Sequence, residues 1–194
     1  MFAKTLGRIA LLSILSILAF LVLASGGVAQ AGQWPHERDG IVLGFGLGAG
    51  TGGLDYTGIS SDREGGLAGG LRLGYVFTPE VAAGIEGTFW TKEVDGETWT
   101  FDVGAATLTC YPGAKGFFVR GGIGVGTLEF ETEQGGVTYS ASDDGFGFLL
   151  GAGYEWRLTR KFALGPAVDY SYAKVSDDIS LNFINFTVGL NWYF

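Results

Sequence analysis

The chain has 194 residues, a formal net charge of −8, 47% hydrophobic and 16% charged positions, and 35 glycines. That length bounds it to one domain with short appendages, and so little charge excludes a disordered tail or a coiled coil. The acid excess offers no electrostatic footprint for nucleic acid, and one cysteine (Cys110) with one histidine (His36) allows neither an intramolecular disulfide nor a zinc-type ligand cluster.

The first segment reads as an export signal. Lys4 and Arg8 form a basic start, Ile9 to Ala24 an apolar run, and Ala29-Gln30-Ala31 a small-x-small cleavage pattern. Residues 1–31 are therefore expected to be a signal peptide, followed by a polar periplasmic lead-in over 32–39 and a single domain over 40–194. Beyond the leader no stretch approaches the roughly 20 apolar residues of a spanning helix, so a polytopic helical protein is excluded.

From Gly40 onward one theme repeats: about ten residues of alternation, the period of a strand, then a break rich in Gly, Pro or acids. Eight such segments follow in order. The first sets Ile41, Leu43, Phe45, Leu47 and Ala49 against glycines, and the second sets Leu67, Leu71, Leu73, Tyr75 and Phe77 against Gly66, Ala68, Gly70, Arg72 and Gly74. The third carries Val81, Ala83, Ile85 and Phe89. In the fourth, Trp99, Phe101, Val103 and Ala105 are taken as the apolar face, ending at Tyr111. The fifth has Phe117, Val119, Ile123 and Val125, and the sixth Phe146, Phe148, Leu150, Tyr154 and Trp156. The seventh has Phe162, Leu164, Val168, Tyr170 and Tyr172, with a bulge expected at Gly165-Pro166 because proline lacks a ladder donor. The eighth is apolar at every second position from Ile184 to Phe194.

The breaks alternate in size. Thr78-Pro79-Glu80, Pro112 to Gly116 and Thr159 to Lys161 are short; Thr51 to Glu64, Thr91 to Glu97, Glu129 to Asp144 and Lys174 to Ser180 are long. This is the wiring of an all-β, eight-stranded, antiparallel up-and-down transmembrane barrel, with tight periplasmic turns and longer extracellular loops. Open edges are prohibitive in hydrocarbon, so the first strand is expected to pair with the eighth.

A soluble barrel would alternate too, with its apolar face inward. Here the other face is mostly Gly, Ala, Ser and Thr, which suit the cramped interior of a small barrel better than a solvated surface. The aromatics also fall into two groups. Tyr75, Phe77, Tyr111, Tyr154, Trp156, Phe162, Trp192 and Phe194 lie beside the turns; Phe89, Trp99, Phe101, Phe146, Tyr170 and Tyr172 lie near the loops. Two such belts are the interfacial girdles of a membrane barrel. With the apolar faces outward, no outward position is charged.

The inward faces then carry Arg72, Glu86, Asp102, Arg120, Glu155, Arg157 and Asp169, an expected interior ion-pair cluster. A turn centred on Pro79 sets Arg72 opposite Glu86; Arg120 and Glu155 lie at similar heights, Asp102 and Asp169 higher and Arg157 lower. Buried charges need partners. Their array reads as a polar plug that fills a narrow lumen, with a gated ion path as the alternative. The carboxylates face arginines, so glycosidase chemistry has no cleft, and His36 is too far from the loop serines for a triad. No catalytic, cofactor or metal residue is expected. Thirteen acids on the long loops face only Arg63, Lys92 and Lys174. They read as a solvated rim, or as a holder of divalent cations that bridge to lipopolysaccharide phosphates.

The last eight residues, Thr187-Val188-Gly189-Leu190-Asn191-Trp192-Tyr193-Phe194, look like the β-signal of outer-membrane barrels: polar-x-Gly-x-x-aromatic-x-aromatic. With the leader and the eight segments, residues 40–194 resemble the family of small outer-membrane barrels that includes the membrane domain of OmpA, OmpX and the opacity proteins. The resemblance implies insertion by the barrel assembly machinery, with Thr187, Gly189, Trp192 and Phe194 as the assembly signal. It also implies outer-membrane lipid and lipopolysaccharide as surroundings in a Gram-negative bacterium, and an extracellular ligand for the loops. Lipid A deacylases share the architecture but need a His and a Ser in the barrel wall. The expected role is non-enzymatic, in envelope integrity or surface interaction, with a narrow porin-like channel as the alternative.

Overall fold

The computed structural model describes residues 38–194 apart from 57–58, 61, 95–96 and 135–136; the expected signal peptide and His36 lie outside the described residues. Among the described residues eight long strands follow one another: β1 (Gly40–Tyr56), β2 (Glu64–Thr78), β3 (Val81–Val94), β4 (Glu97–Cys110), β5 (Phe117–Gln134), β6 (Val137–Tyr154), β7 (Phe162–Lys174) and β8 (Ile179–Tyr193). A two-residue piece, Ile59–Ser60, pairs back onto the end of β1. Another, Trp156–Arg157, prolongs the line of β6 along β7. No helix among the described residues is long and apolar enough to cross a membrane.

Each strand pairs antiparallel with the next, and β8 pairs with β1, so the sheet closes on itself. The seam is tight at its lower end. Phe194 N–H donates to the Ile41 carbonyl at 2.9 Å. Gly40 sits at φ +72°, where a Cβ would run into the Phe194 carbonyl oxygen, so a side chain there is blocked by backbone conformation and by space alike. Arg72 lies opposite Glu86 as expected, although the Pro79 turn itself pairs Thr78 with Val81 and the expected register is regained only through a one-residue shift between Val76 and Thr78.

Two expectations about the strands change. The strands run 13 to 18 residues, well beyond the ~9–11 a tilted strand needs to span hydrocarbon. Most of the residues assigned to long loops therefore continue the ladders: Glu97 still pairs with Thr132, and Glu131 with Ser140. Above the bilayer the outward face no longer needs apolar residues, so the alternation fades while the pairing persists. At Pro166 there is no bulge. Gly153 pairs with Ala167 and Trp156 with Leu164, the same register on both sides of a gap at Tyr154 and Glu155. The proline removes a donor without adding a residue, while on the other side Glu155 N–H donates to the Gly116 carbonyl at 2.8 Å, one step beyond the Phe117–Tyr154 pair of β5 and β6.

Seven strands point their apolar faces outward as expected; Leu71, Ile123 and Phe186 are among the most exposed side chains. The exception is β4. Phe101, Val103 and Ala105 are buried inside the barrel, as is Tyr111 just beyond the strand, while Leu108 is 52% exposed on the wall. Trp99 likewise turns inward and packs on the interior cluster. The register decides this: Glu86 opposes Ala105, so inward Glu86 forces Ala105 and every second neighbour inward. Trp99, Phe101 and Tyr111 thus leave the girdles.

Candidate functional site

The lumen is filled in three layers, each built from alternate positions of the surrounding strands. Toward the loop end, Trp90, Phe101, Val103, Leu149, Leu181 and Phe183 form a buried apolar layer. Toward the turn end, Val42, Val76, Ala82, Tyr111, Phe118 and Tyr193 form a second. The charged residues lie between and below them.

Glu86 is the hub of the central belt. Arg72 Nε meets its Oε1 at 3.1 Å and Arg120 Nη1 its Oε2 at 3.0 Å, while Thr107 donates to Oε1 at 3.2 Å. Arg120 also grips Asp169, with Nε on Oδ1 at 2.9 Å and Nη2 on Oδ2 at 2.7 Å. Such doubled arginine–carboxylate contacts fix geometry as well as charge. Small residues make the room: a Cβ on Gly151 would strike Asp169 Oδ1 and crowd Arg120 Nε. The remaining donors of Arg72 reach Thr109 Oγ1 at 2.9 Å and the Tyr111 hydroxyl at 3.2 Å. Between these groups a polar cavity of about 50 Å³ remains, lined by Arg72, Glu86, Arg120, Asp169 and Thr187. It has room for a few waters only.

Glu155 does not join this belt directly. It lies lower, where it accepts from the Tyr111 hydroxyl (3.1 Å), the Tyr193 hydroxyl (2.8 Å) and Asn191 Nδ2 (2.9 Å). Its ionic partner is Arg38, at 3.4 Å from the lead-in, whose guanidinium also stacks over the Tyr111 ring at 4.0 Å. The sequence reading placed Arg38 in a polar lead-in and missed it, since no alternation reaches that segment. Arg157 sits lowest, over the Tyr193 ring at 4.2 Å.

Of the seven charged residues expected inside, Arg72, Glu86, Arg120, Glu155, Arg157 and Asp169 face the lumen, and Asp102 does not. The inverted β4 carries Asp102 to the outer wall opposite Phe89 on β3 and Thr127 on β5. The outward faces are therefore not wholly uncharged. Asp102 lies at the loop-end level, where Glu129 and Asp144 repel it and mark the edge of the apolar band.

The loop-end acids keep few partners: Lys92 pairs with Glu64 at 2.6 Å and Lys174 with Asp177 at 3.2 Å. Arg63 turns instead to Asn182 and Thr51. Among the described residues no group of three or more His, Cys, Asp or Glu side chains is arranged to hold a metal ion. At the C-terminus, Thr187 and Gly189 face the lumen, while Trp192 and Phe194 stack on the outer wall with centroids 5.6 Å apart and planes within 4°.

A closed eight-stranded barrel with a greasy wall and a packed, charge-paired lumen defines a transmembrane β-barrel rather than a soluble carrier. The outer membrane protein beta-barrel domain family matches residues 16–194, and the chain belongs to that family. Solved structures with this fold include the attachment invasion locus protein Ail of Yersinia pestis, obtained in complex with the heparin analogue sucrose octasulfate. Its identity is 17%, with 80% of this chain and 99% of that chain covered at a TM-score of 0.54. Neisserial surface protein A is similar at 15% identity, covering 81% of this chain and 99% of its own, with a TM-score of 0.55. At these identities the likeness is one of fold. No curated protein sequence matches the chain significantly.

Proposed function

We propose that this protein is a non-conducting, non-enzymatic barrel of the Gram-negative outer membrane that acts through its loop end, in surface interaction or envelope integrity. The observation that carries the reading is the filled lumen: two apolar layers bracket an ion belt in which Arg72 and Arg120 are both paired. A solute would have to displace packed aromatics and part the buried ion pairs in succession, and removing one partner from a buried pair costs ~3–5 kcal/mol. Function is thereby left to the surfaces. The ladders that continue above the apolar band present Glu129, Glu131, Asp143 and Asp144 on a paired β5–β6 ribbon. That acidity favours a basic ligand, or lipopolysaccharide approached through divalent cations, over a sulfated polyanion of the kind held by Ail. The outward aromatic pair Trp192–Phe194 on the closing strand suits recognition by the barrel assembly machinery.

The competing reading is a narrow channel. Single-channel recording in planar bilayers separates the two. We expect no reproducible conductance steps from the folded protein. Steps that persist in the wild type and vanish in Glu86→Ala would overturn the sealed-lumen reading in favour of the channel.

A further inference from the structure

Arg38 differs from the other interior charges in that no strand carries it. It precedes β1 by two residues, yet it is the largest fully buried side chain among the described residues. From the foot of β1 it reaches across the turn-end mouth. Its Nε lies 3.4 Å from Glu155 Oε2, just past β6, and its Nη1 donates to the Ala114 carbonyl in the β4–β5 turn at 3.2 Å. In the closed order of strands these partners sit on the far side of the barrel from β1.

What receives the guanidinium is positioned by other groups. The Glu155 carboxylate accepts from the hydroxyls of Tyr111 and Tyr193 at 3.1 and 2.8 Å and from Asn191 Nδ2 at 2.9 Å. The Tyr111 ring, with its centroid 4.0 Å from the Arg38 guanidinium, packs on Phe118, and its hydroxyl accepts from Arg72. Ala114 is held at φ +54°, the one non-glycine in the left-handed region among the described residues. Alanine disfavours that conformation, and the carbonyl it presents is the one that accepts from Arg38. A carboxylate, a carbonyl and an aromatic face at fixed positions suit a planar cation with several donors. The grip on Arg38 is looser than that of Arg120 on Asp169, where two contacts measure 2.9 and 2.7 Å.

We propose that Arg38 is a bolt across the turn-end mouth, docked in a guanidinium-binding pocket formed by Glu155, Tyr111 and Ala114, and that this pocket accepts a guanidinium group from outside when Arg38 is withdrawn. In outer-membrane barrels that mouth faces the periplasm. Bolt and belt are separate closures. Arg38 bars the lower chamber, where Val42, Tyr111 and Phe118 pack, while Glu86 and Asp169 stay paired with Arg72 and Arg120 above it. A buried carboxylate stripped of its cation is strongly disfavoured, so the pocket exchanges one guanidinium for another rather than standing empty. The site lies at the opposite end from the loop-end role proposed above and does not depend on it.

The test replaces the side chain by a free ion. A thiol reporter is placed at Val42→Cys, a fully buried position of the lower layer, in a Cys110→Ala background. Its modification by a small neutral thiol reagent is followed in the folded full-length protein. With Arg38 present the reaction is expected to be slow. In Arg38→Ala it is expected to be about tenfold faster or more, since losing a hydrogen bond to a charged group shifts a local opening equilibrium by that much. Millimolar guanidinium chloride is expected to restore the slow rate saturably; sodium chloride and tetramethylammonium chloride, which lack N–H donors, are not. An unchanged rate in Arg38→Ala, or equal restoration by a control salt, overturns the proposal. If Arg38→Ala does not refold unaided, its yield of the compact, heat-modifiable form is compared in guanidinium and in sodium. A higher yield in guanidinium supports the pocket, and equal yields overturn it.

Discussion

Glu86 is the carboxylate on which two arginines depend, and its position was legible at the level of single residues. A turn centred on Pro79 predicts that Arg72 faces Glu86; the observed two-residue turn with a register shift between Val76 and Thr78 gives the same pairing, and the two meet at 3.1 Å. Replacing Glu86 by Gln leaves Arg72 and Arg120 facing a neutral amide. We expect a loss of ~3–5 kcal/mol of stability, read as a lower urea midpoint for the reconstituted protein, with no change in strand content below the transition. A midpoint within error of the wild type would show that the belt is not held by ion pairing. The residues that escaped the sequence did so for physical reasons. Arg38 enters the lumen from outside any strand, and Trp90 and Tyr193 alternate correctly but are apolar or amphipathic on an inward face, where the pattern of Gly, Ala and Thr gave no hint of them.

At the scale of the element, β4 shows what alternation does and does not say. Period two separates the faces of a strand, but which face meets lipid depends on the neighbours. The fourth segment has large apolar side chains at Trp99, Phe101 and Val103 because the loop half of the lumen needs filling. Its outward face is built from Gly104, Ala106 and Leu108. A signal that resolves the ambiguity was present. As sequence, Asp-Gly at 95–96 is a dipeptide favoured in two-residue hairpins; Val94 pairs with Glu97, and that register carries Ala105 to Glu86. Gly-Gly at 135–136 is another such dipeptide in the sequence, and Gln134 pairs with Val137, so both registers were readable. Nitroxide labels test the corrected face directly. In a Cys110→Ala background, a label at Leu108→Cys is expected to respond strongly to oxygen dissolved in the bilayer and hardly to a water-soluble nickel reagent. Placed instead at Thr107→Cys, it is expected to be shielded from both. Strong oxygen relaxation at residue 107 with shielding at 108 would restore the original face and return Asp102 to the lumen.

The molecule as a whole was the most legible level. Closure of β8 on β1, the antiparallel meander and the outward greasy wall all follow from one constraint: hydrocarbon accepts neither open edges nor charges. What the sequence left open is whether the centre is a path or a plug, because small and charged inward residues serve either. The two apolar layers support the plug we propose, and they are assembled from residues far apart in the chain, Trp90 and Phe101 with Leu149, Leu181 and Phe183 at one end and Val42 with Tyr111, Phe118 and Tyr193 at the other. The cavity between them is lined in part by Thr187, itself 9% exposed. Substituting Thr187→Cys in the Cys110→Ala background places a near-isosteric thiol inside it. The decisive measurement is the rate at which a small cationic methanethiosulfonate modifies that thiol in reconstituted vesicles, set against Asp177→Cys on the exposed rim. A sealed lumen predicts no modification until the barrel is unfolded by heat, whereas modification of the folded protein at a rate approaching that of the rim control would contradict it.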